Sequence, residues 1–189
     1  MLWVIRELKQ RPVLYGFSFF IILSAYLAGG MAALKLGEGS RGTASAFFFS
    51  GGAFRRIVWS VAGKRLVLMG VQAFFCIWMA GMPLSVFCGM LVQVSLSLPW
   101  WCMAESTAEG VFISVLTVLP SMVYLTAGTY AMKTAIAYFG KMLKERSISK
   151  SAVEKLREGM KPALRMLIAD GLMLLCVPLE VFFFMNIAG

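Results

Sequence analysis

The chain has 189 residues, of which 60% are hydrophobic and 14% charged, and its formal net charge is +9. Soluble domains carry about 45–50% apolar and about 25% charged residues, and disordered chains are poor in aromatic residues, so this composition excludes both classes and indicates an integral membrane protein. The basic residues lie between apolar runs, which is typical of cytoplasmic loops and of contacts with anionic lipid, and no nucleic-acid-binding motif accompanies them.

The first predicted element is a membrane-spanning helix over residues 12–34, directly after a basic N-terminus. An uncharged stretch of this length reaches roughly 30–35 Å, which is enough to cross a bilayer core of about 30 Å. Ala25, Gly29 and Ala33 recur every four residues on it, and such small residues let a neighbouring helix approach closely. Gly29 and Ala33 are therefore candidate residues for helix packing or partner contact.

Residues 44–63 are predicted to form an amphipathic segment that lies in the membrane interface. Aromatic and aliphatic residues stand beside the adjacent Arg55 and Arg56 in this segment. Two arginines at the centre of a span would cost several kcal/mol, whereas an interfacial helix keeps them among water and headgroups. Arg55, Arg56 and Trp59 are the predicted interfacial residues.

The uncharged stretch 66–104 is predicted to hold two closely spaced elements, at 66–82 and 84–103, with Pro83 between them. They form either two full spans or a span followed by a re-entrant hairpin, because broken helices survive at membrane depth when they pack against protein. Tryptophans near the end of the second element are typical of an aromatic belt at the interface. The candidates are Pro83 and Gly89 for packing or partner contact, and Trp100 and Trp101 for the interface.

A short acidic loop that ends at Glu109 precedes the fourth predicted span, residues 110–139. Pro120 is expected to kink this helix. Lys133 lies about two turns before the basic stretch that follows, and we expect its ammonium group to extend towards that stretch. Glu109, Gly110 and Pro120 are candidate contact residues.

Residues 141–165 are predicted to form a basic cytoplasmic loop, and residues 166–188 the last span. We expect Asp170 to lie at the interface near the start of that span, where the helix dipole favours a carboxylate. Glu180 lies deeper, and an acidic group in a span is costly unless it is paired, neutralised or in a polar cavity. It is either a proton, cation or partner site, or a near-interface carboxylate that faces a neighbouring helix or water. A direct pair with Lys133 is not expected, because the two lie at different depths.

The charges predict the topology of a single all-α domain, a polytopic bundle of about five spans. The basic N-terminus and the basic loop 141–165 both belong in the cytoplasm, so an even number of spans must separate them. The four predicted spans meet this requirement and leave the loop at Glu109 and the end of the fifth helix outside. Six basic residues of segment 35–65 then also lie outside, against the same rule.

No catalytic or metal site is indicated by the sequence. Histidine, the commonest general base and metal ligand, is absent. The cysteines form no CxxC pair and are expected to be free thiols inside apolar runs; they are Cys76, Cys88, Cys102 and Cys176. We therefore predict a non-enzymatic protein that needs no cofactor.

Three passages of the chain carry a resemblance to a known family. They are the stretch 81–89 with its glycines and proline, the loop and apolar run 109–120 that ends in Leu-Pro, and the closing apolar run 174–182 with its single glutamate. Together with the basic loop before the last helix, they resemble the stage II sporulation protein M family of bacterial and archaeal membrane proteins over residues 66–189. The resemblance implies a non-enzymatic scaffold, because the namesake recruits two peptidoglycan-remodelling partners, sporulation proteins D and P, during engulfment of the forespore.

Two functions remain open from the sequence. The preferred one is a non-catalytic scaffold in the cytoplasmic membrane of a bacterium or archaeon, which recruits or positions cell-envelope proteins through segments 35–65 and 141–165. Its partners would be membrane lipid and other envelope membrane proteins, and self-association is left open. The alternative is the membrane component of a transporter or ABC-type permease, in which helices broken at Pro83 and Pro120 would form a midplane site with Glu180.

Overall fold

The structure is a computed structural model, and it describes residues 11–36, 52–77, 81–102, 118–144 and 152–187. Within these ranges the elements are helical and no strand occurs. The helices are α1 (Pro12–Lys35), α2 (Phe54–Cys76), α3 (Met82–Cys102), α4 (Val118–Lys144), α5 (Ala152–Leu174) and α6 (Val177–Ile187). The prediction of an all-α helical bundle is confirmed.

In the part of the chain that the structure describes, three stretches are long and apolar enough to cross a membrane: Pro12–Lys35, Phe54–Cys76 and Val153–Asn186. The apolar part of α3, Pro83–Leu98, is shorter. With 24 residues in α1 and 1.5 Å of rise per residue, that helix is about 36 Å long, which matches the bilayer core of about 30 Å with some tilt. These helices indicate a membrane protein.

Helices α2 to α5 run in alternating directions through the bundle. The Ser85 hydroxyl, early in α3, donates a hydrogen bond to the Gln72 carbonyl late in α2, at 2.9 Å. Leu96 late in α3 packs with Tyr124 early in α4. Gly159 early in α5 lies against the chain at the end of α2. One end of the bundle therefore holds the ends of α2 and α4 together with the starts of α3 and α5.

Three clusters of buried apolar residues form much of the core among the described residues. The first joins α2, α3, α4 and α5, the second joins α2, α4 and α5, and the third joins α2 and α6. Their members are Met69, Val92, Leu96, Tyr124, Ala127 and Met173 in the first; Cys76, Ala131, Ala135, Tyr138, Met166 and Ala169 in the second; and Ile57, Val61, Val177 and Val181 in the third.

The predicted boundary between an interfacial segment, 44–63, and a span, 66–82, is wrong. Helix α2 continues without interruption from Phe54 to Cys76, and the residues before 52 lie outside the described ranges. The predicted boundary follows the charges that end with Arg65. A single helix tolerates Arg65 near its centre because an acidic partner from another helix neutralises it, as described below.

The C-terminal third also differs from the predicted division into a loop, 141–165, and a span, 166–188. Helix α4 extends to Lys144 and α5 begins at Ala152, so most of the predicted loop is helical. A turn at residues 175–176 then separates α5 from α6. Pro178 explains this break, because its ring nitrogen cannot donate to the carbonyl of residue 174 and its ring clashes with that group.

Candidate functional site

A buried ion pair joins α2 to α6. Arg65 Nη1 donates a hydrogen bond to Glu180 Oε1 at 2.9 Å, and Arg65 Nη2 lies 2.7 Å from Glu180 Oε2. The first contact is a charge-assisted hydrogen bond, and the second is an ion-pair contact whose atoms, Nη2 and Oε2, form no hydrogen bond with a described residue. The exposed fraction is 1% for Arg65 and 0% for Glu180. Both charges are therefore removed from water and lipid.

Helix geometry directs both partners of this pair into the bundle. On α2, Val61 and Met69 lie one turn before and one turn after Arg65 and are buried on the same face. On α6, Glu180 lies in the first turn, where the helix dipole favours a negative charge. It stands between the buried Val177 and Val181. Apolar side chains thus surround the pair and strengthen its attraction by excluding water.

The pair answers the question that the sequence left open at Glu180. The carboxylate neither faces water nor stands alone in the membrane, because it is neutralised by a guanidinium 115 residues earlier in the chain. The sequence did not predict Arg65 as its partner, because Arg65 lies at the end of the basic segment 35–65, outside the predicted spans. One feature of the sequence could have indicated the pair. Arg65 and Glu180 carry opposite charges beside long apolar runs, and a charge in a membrane span is costly unless an opposite charge pairs with it.

Asp170 is a second buried carboxylate, and its predicted position near the start of a helix is wrong. Its exposed fraction is 1%, and Oδ2 forms no hydrogen bond with any described residue. The reason is that α5 begins at Ala152, well before the predicted start of the span at 166. Asp170 therefore lies about one turn before the end of α5 and not in the first turn of a helix.

Helices α2, α3 and α4 meet closely at Gly89. A Cβ atom added to this glycine would lie 2.8 Å from Gln72 Nε2 and 3.1 Å from Met132 Cε. The buried Gln93 of α3 reaches towards α4, and its Nε2 lies 3.5 Å from the Tyr124 carbonyl oxygen, at the limit of a hydrogen bond. The absence of a side chain at Gly89 thus permits this three-helix contact.

Gly29 and Ala33 are both buried on α1. A Cβ atom at Gly29 would collide with Ser97 Oγ and would lie 3.0 Å from the Val94 carbonyl oxygen, so this glycine sits directly against α3. Gly16 on the same helix has no such neighbour within 4 Å. The close contact between α1 and α3 therefore requires a glycine at position 29.

The other predicted positions that the structure describes do not converge on a common site. Pro83 is exposed in the first turn of α3, and Pro120 is buried in the first described turn of α4. The predicted interfacial residues of α2 are exposed at its start; they are Arg55, Arg56 and Trp59. Trp100 and Trp101 lie in the last turns of α3. Glu109 and Gly110 fall outside the described residues.

A cavity of about 550 Å³, here called the basic cavity, opens between the start of α1, the second half of α4 and the first half of α5. Aromatic and small residues of α4 and α5 complete its wall. Its charged lining in the described residues consists of five basic side chains and one carboxylate: Arg11, Lys133, Lys141, Lys161, Arg165 and Glu158. The sequence predicted the basic stretch 141–165 but not the cavity, because the cavity depends on how three helices pack together.

The cations of the basic cavity range from buried to exposed. Lys133 has an exposed fraction of 6%, and its Nζ lies 5.3 Å from the centroid of the Tyr130 ring, a cation–π contact. Lys141, about two turns further along α4, is half exposed, with its Nζ 3.8 Å from Glu158 Oε2. Because Arg11 lines the same cavity, the start of α1 lies at the same end of the bundle as the end of α4.

Comparison with known proteins assigns no family to this chain. It matches no protein-family model, no curated protein and no solved structure. The resemblance to the stage II sporulation protein M family therefore stays a prediction. Within the described ranges, no three Cys, Asp or Glu side chains are grouped so that they could hold a metal ion.

Proposed function

We propose that this chain is a non-catalytic integral membrane scaffold that recruits or positions cell-envelope proteins. The proposal places it in the cytoplasmic membrane of a bacterium or archaeon, with about five spans and a cytoplasmic N-terminus. Peptidoglycan-remodelling membrane proteins of the kind represented by sporulation proteins D and P are the proposed partners. Neither a reaction nor a cofactor is part of the proposal.

The ion pair between Arg65 and Glu180 is the observation that carries this proposal. The pair engages both oxygens of the Glu180 carboxylate, so its charge holds α6 against α2. A proton or cation site would instead need an oxygen that a mobile ion could reach. The pair is therefore a structural contact between two helices, and a scaffold needs such contacts but no exchangeable ion.

The apolar face of α1 supports a role in partner contact. Large side chains more than half exposed follow one another along this helix: Val13, Phe17, Phe20, Leu27, Met31 and Leu34. The opposite face is buried, with Gly29 against α3. In a membrane the exposed face lies against lipid tails or against the helix of another membrane protein, so it is available to a partner without rearrangement of the bundle.

The arrangement of the basic residues supports the proposed topology. Arg11, Lys141 and Arg165 line one cavity, so two basic regions far apart in sequence lie at one end of the bundle. Basic residues near the ends of spans favour the cytoplasmic side. The N-terminus and the connection between α4 and α5 are therefore assigned together to the cytoplasm.

The alternative function is the membrane component of a transporter, and one feature favours it. The turn at residues 175–176 interrupts the stretch Val153–Asn186 shortly before Glu180. Discontinuous helices beside charged residues are typical of transporter sites at mid-membrane. In that case the pair would have to open so that Glu180 could exchange its partner for a substrate or an ion.

A double variant separates these two functions. Arg65→Met with Glu180→Leu removes both charges and keeps side chains of similar bulk. If the chain is a scaffold, the folded double variant should still co-purify with a co-expressed, tagged sporulation protein D or P homologue from the same host. Lys64→Met, next to Arg65 on α2, is the matched control for the loss of a cation.

The scaffold proposal fails if the folded wild-type chain captures neither homologue. The transporter alternative predicts proton or solute-coupled proton uptake into proteoliposomes, followed with an enclosed pH-sensitive dye. That uptake should be abolished in the double variant and retained in Lys64→Met.

A further inference from the structure

We propose that the basic cavity is a binding site for a phosphate group, carried either by an anionic lipid headgroup or by a free phosphate. This inference does not depend on the scaffold function. It rests on the charge of the cavity, the kinds of donor that line it and its position at one end of the bundle.

The charge of the lining favours an anion. Five basic side chains and one carboxylate line a space of about 550 Å³ in the described residues. Such a space is roughly 10 Å across, close to the distance over which physiological salt screens charges, so the cations repel one another across it. Glu158, whose contact with Lys141 is long at 3.8 Å, is one carboxylate against five cations among the described lining residues. A bound anion would reduce the repulsion among these cations.

The types of donor favour phosphate among anions. Arg11 and Arg165 present planar guanidinium groups that can hold two phosphate oxygens at once. Lys133 adds an ammonium group that is buried and positioned by the Tyr130 ring. The hydroxyl of Thr134, the residue after Lys133, donates a hydrogen bond to the Tyr130 carbonyl oxygen at 2.8 Å. A tetrahedral group with several oxygens can contact donors from three helices at once.

The position of the cavity matches the level of lipid headgroups. Arg11 immediately precedes α1, a candidate membrane span, and Lys141 lies in the last turn of α4. Lys133 is about 12 Å from Lys141 along the axis of α4. The cavity therefore extends from the membrane surface into the bundle, as do the basic pockets between helices that bind phospholipid headgroups.

Binding to the full-length chain in a neutral detergent tests this inference. The probes are a short-chain phosphatidylglycerol, a short-chain phosphatidylcholine and inorganic phosphate, with affinity measured by calorimetry or by thermal stabilisation. We expect Arg165→Gln to weaken phosphatidylglycerol binding about tenfold, since one charge-assisted contact is lost. Arg157→Gln is the matched control, because Arg157 is an exposed cation on the same helix that does not line the cavity.

Lys133→Gln should weaken binding at least as much, because Lys133 is the most buried cation of the site. If that variant does not fold, Lys161→Gln replaces it, since Lys161 is exposed where it lines the cavity. Phosphatidylglycerol binding without inorganic phosphate binding supports a lipid headgroup site. Equal binding of both supports a site for free phosphate. The inference is overturned if neither probe binds, if phosphatidylcholine binds as tightly as phosphatidylglycerol, or if Arg157→Gln weakens binding as much as Arg165→Gln.

Discussion

The buried ion pair and the basic cavity show two opposite ways of placing charge in one helical bundle. At the pair, one guanidinium meets one carboxylate at 2.7 and 2.9 Å, and apolar side chains exclude water. At the cavity, five cations share a single carboxylate among the described lining residues, and most of them reach solvent. The first arrangement is neutral and closed, while the second is positive and open.

This difference separates charges that stabilise the bundle from charges that can bind a ligand. Salt screens exposed charges strongly and buried pairs much less. The contribution of Arg65 and Glu180 to stability should therefore change little with ionic strength, whereas anion binding at the cavity should weaken as salt is added. Substitutions at the pair and at the cavity should therefore separate the two kinds of charge.

Removal of one partner of the ion pair should have the largest effect. Glu180→Gln leaves the Arg65 guanidinium buried without a counter-charge and should lower the free energy of unfolding by about 3–5 kcal/mol. Arg65→Met with Glu180→Leu should recover most of that loss, because no uncompensated charge remains. SDS titration in mixed micelles measures both values.

Asp170→Asn is the matched control for the ion-pair variants. Asp170 is as buried as Arg65, and the described residues offer it no basic partner within salt-bridge distance. Asp170→Asn should therefore lower the free energy of unfolding much less than Glu180→Gln does. Equal losses at the two positions, or a double variant as unstable as the single one, would show that the uncompensated Arg65 guanidinium is not the source of the loss in Glu180→Gln.

Changes in helix packing on α1 should have an intermediate effect on the free energy of unfolding. Gly29 lies against α3 and Gly16 does not, so the two glycines provide the same contrast between a closed and an open position. Gly29→Ala brings a methyl group against Ser97 and Val94 of α3 and should lower the free energy of unfolding by about 1–3 kcal/mol. Gly16→Ala places the same group on α1 where no atom lies within 4 Å, and should raise stability by about 0.5–1 kcal/mol. Thermal unfolding of both variants in one detergent checks the opposite signs. If both lower stability equally, close approach to α3 is not the reason for the glycine.

Removal of the cavity carboxylate should have the smallest effect on stability. Glu158 and Lys141 are partly exposed and 3.8 Å apart, so Glu158→Gln should change the free energy of unfolding by less than about 1 kcal/mol. The same change makes the cavity more positive and should tighten phosphatidylglycerol binding several-fold at low salt. Calorimetry at two salt concentrations measures this gain and its screening. Weaker binding by Glu158→Gln would contradict a site that attracts anions by its charge.

The predicted helix bounds agree with the structure for some helices and not for others. The predicted span 12–34 and the observed α1 nearly coincide, because one uncharged run lies between charged residues and Pro12 begins the helix. Helix α2 was divided at Arg65, since charges normally mark the ends of spans. The same rule placed Asp170 near the start of a helix, although α5 begins much earlier and buries it. Charges that lie within helices were therefore the source of both errors.

Composition and the spacing of apolar runs determined that this chain is an all-α membrane protein, because the number of apolar residues exceeds what a soluble fold can bury. The small residues of α1 also indicated which of its faces can approach another helix. Only the tertiary structure decided that Arg65 meets Glu180 across 115 residues, and that Arg11 joins the cations of α4 and α5 around one cavity. Both arrangements depend on how helices distant in sequence pack side by side. The hydrophobic periodicity of a single helix does not indicate which other helix packs against it.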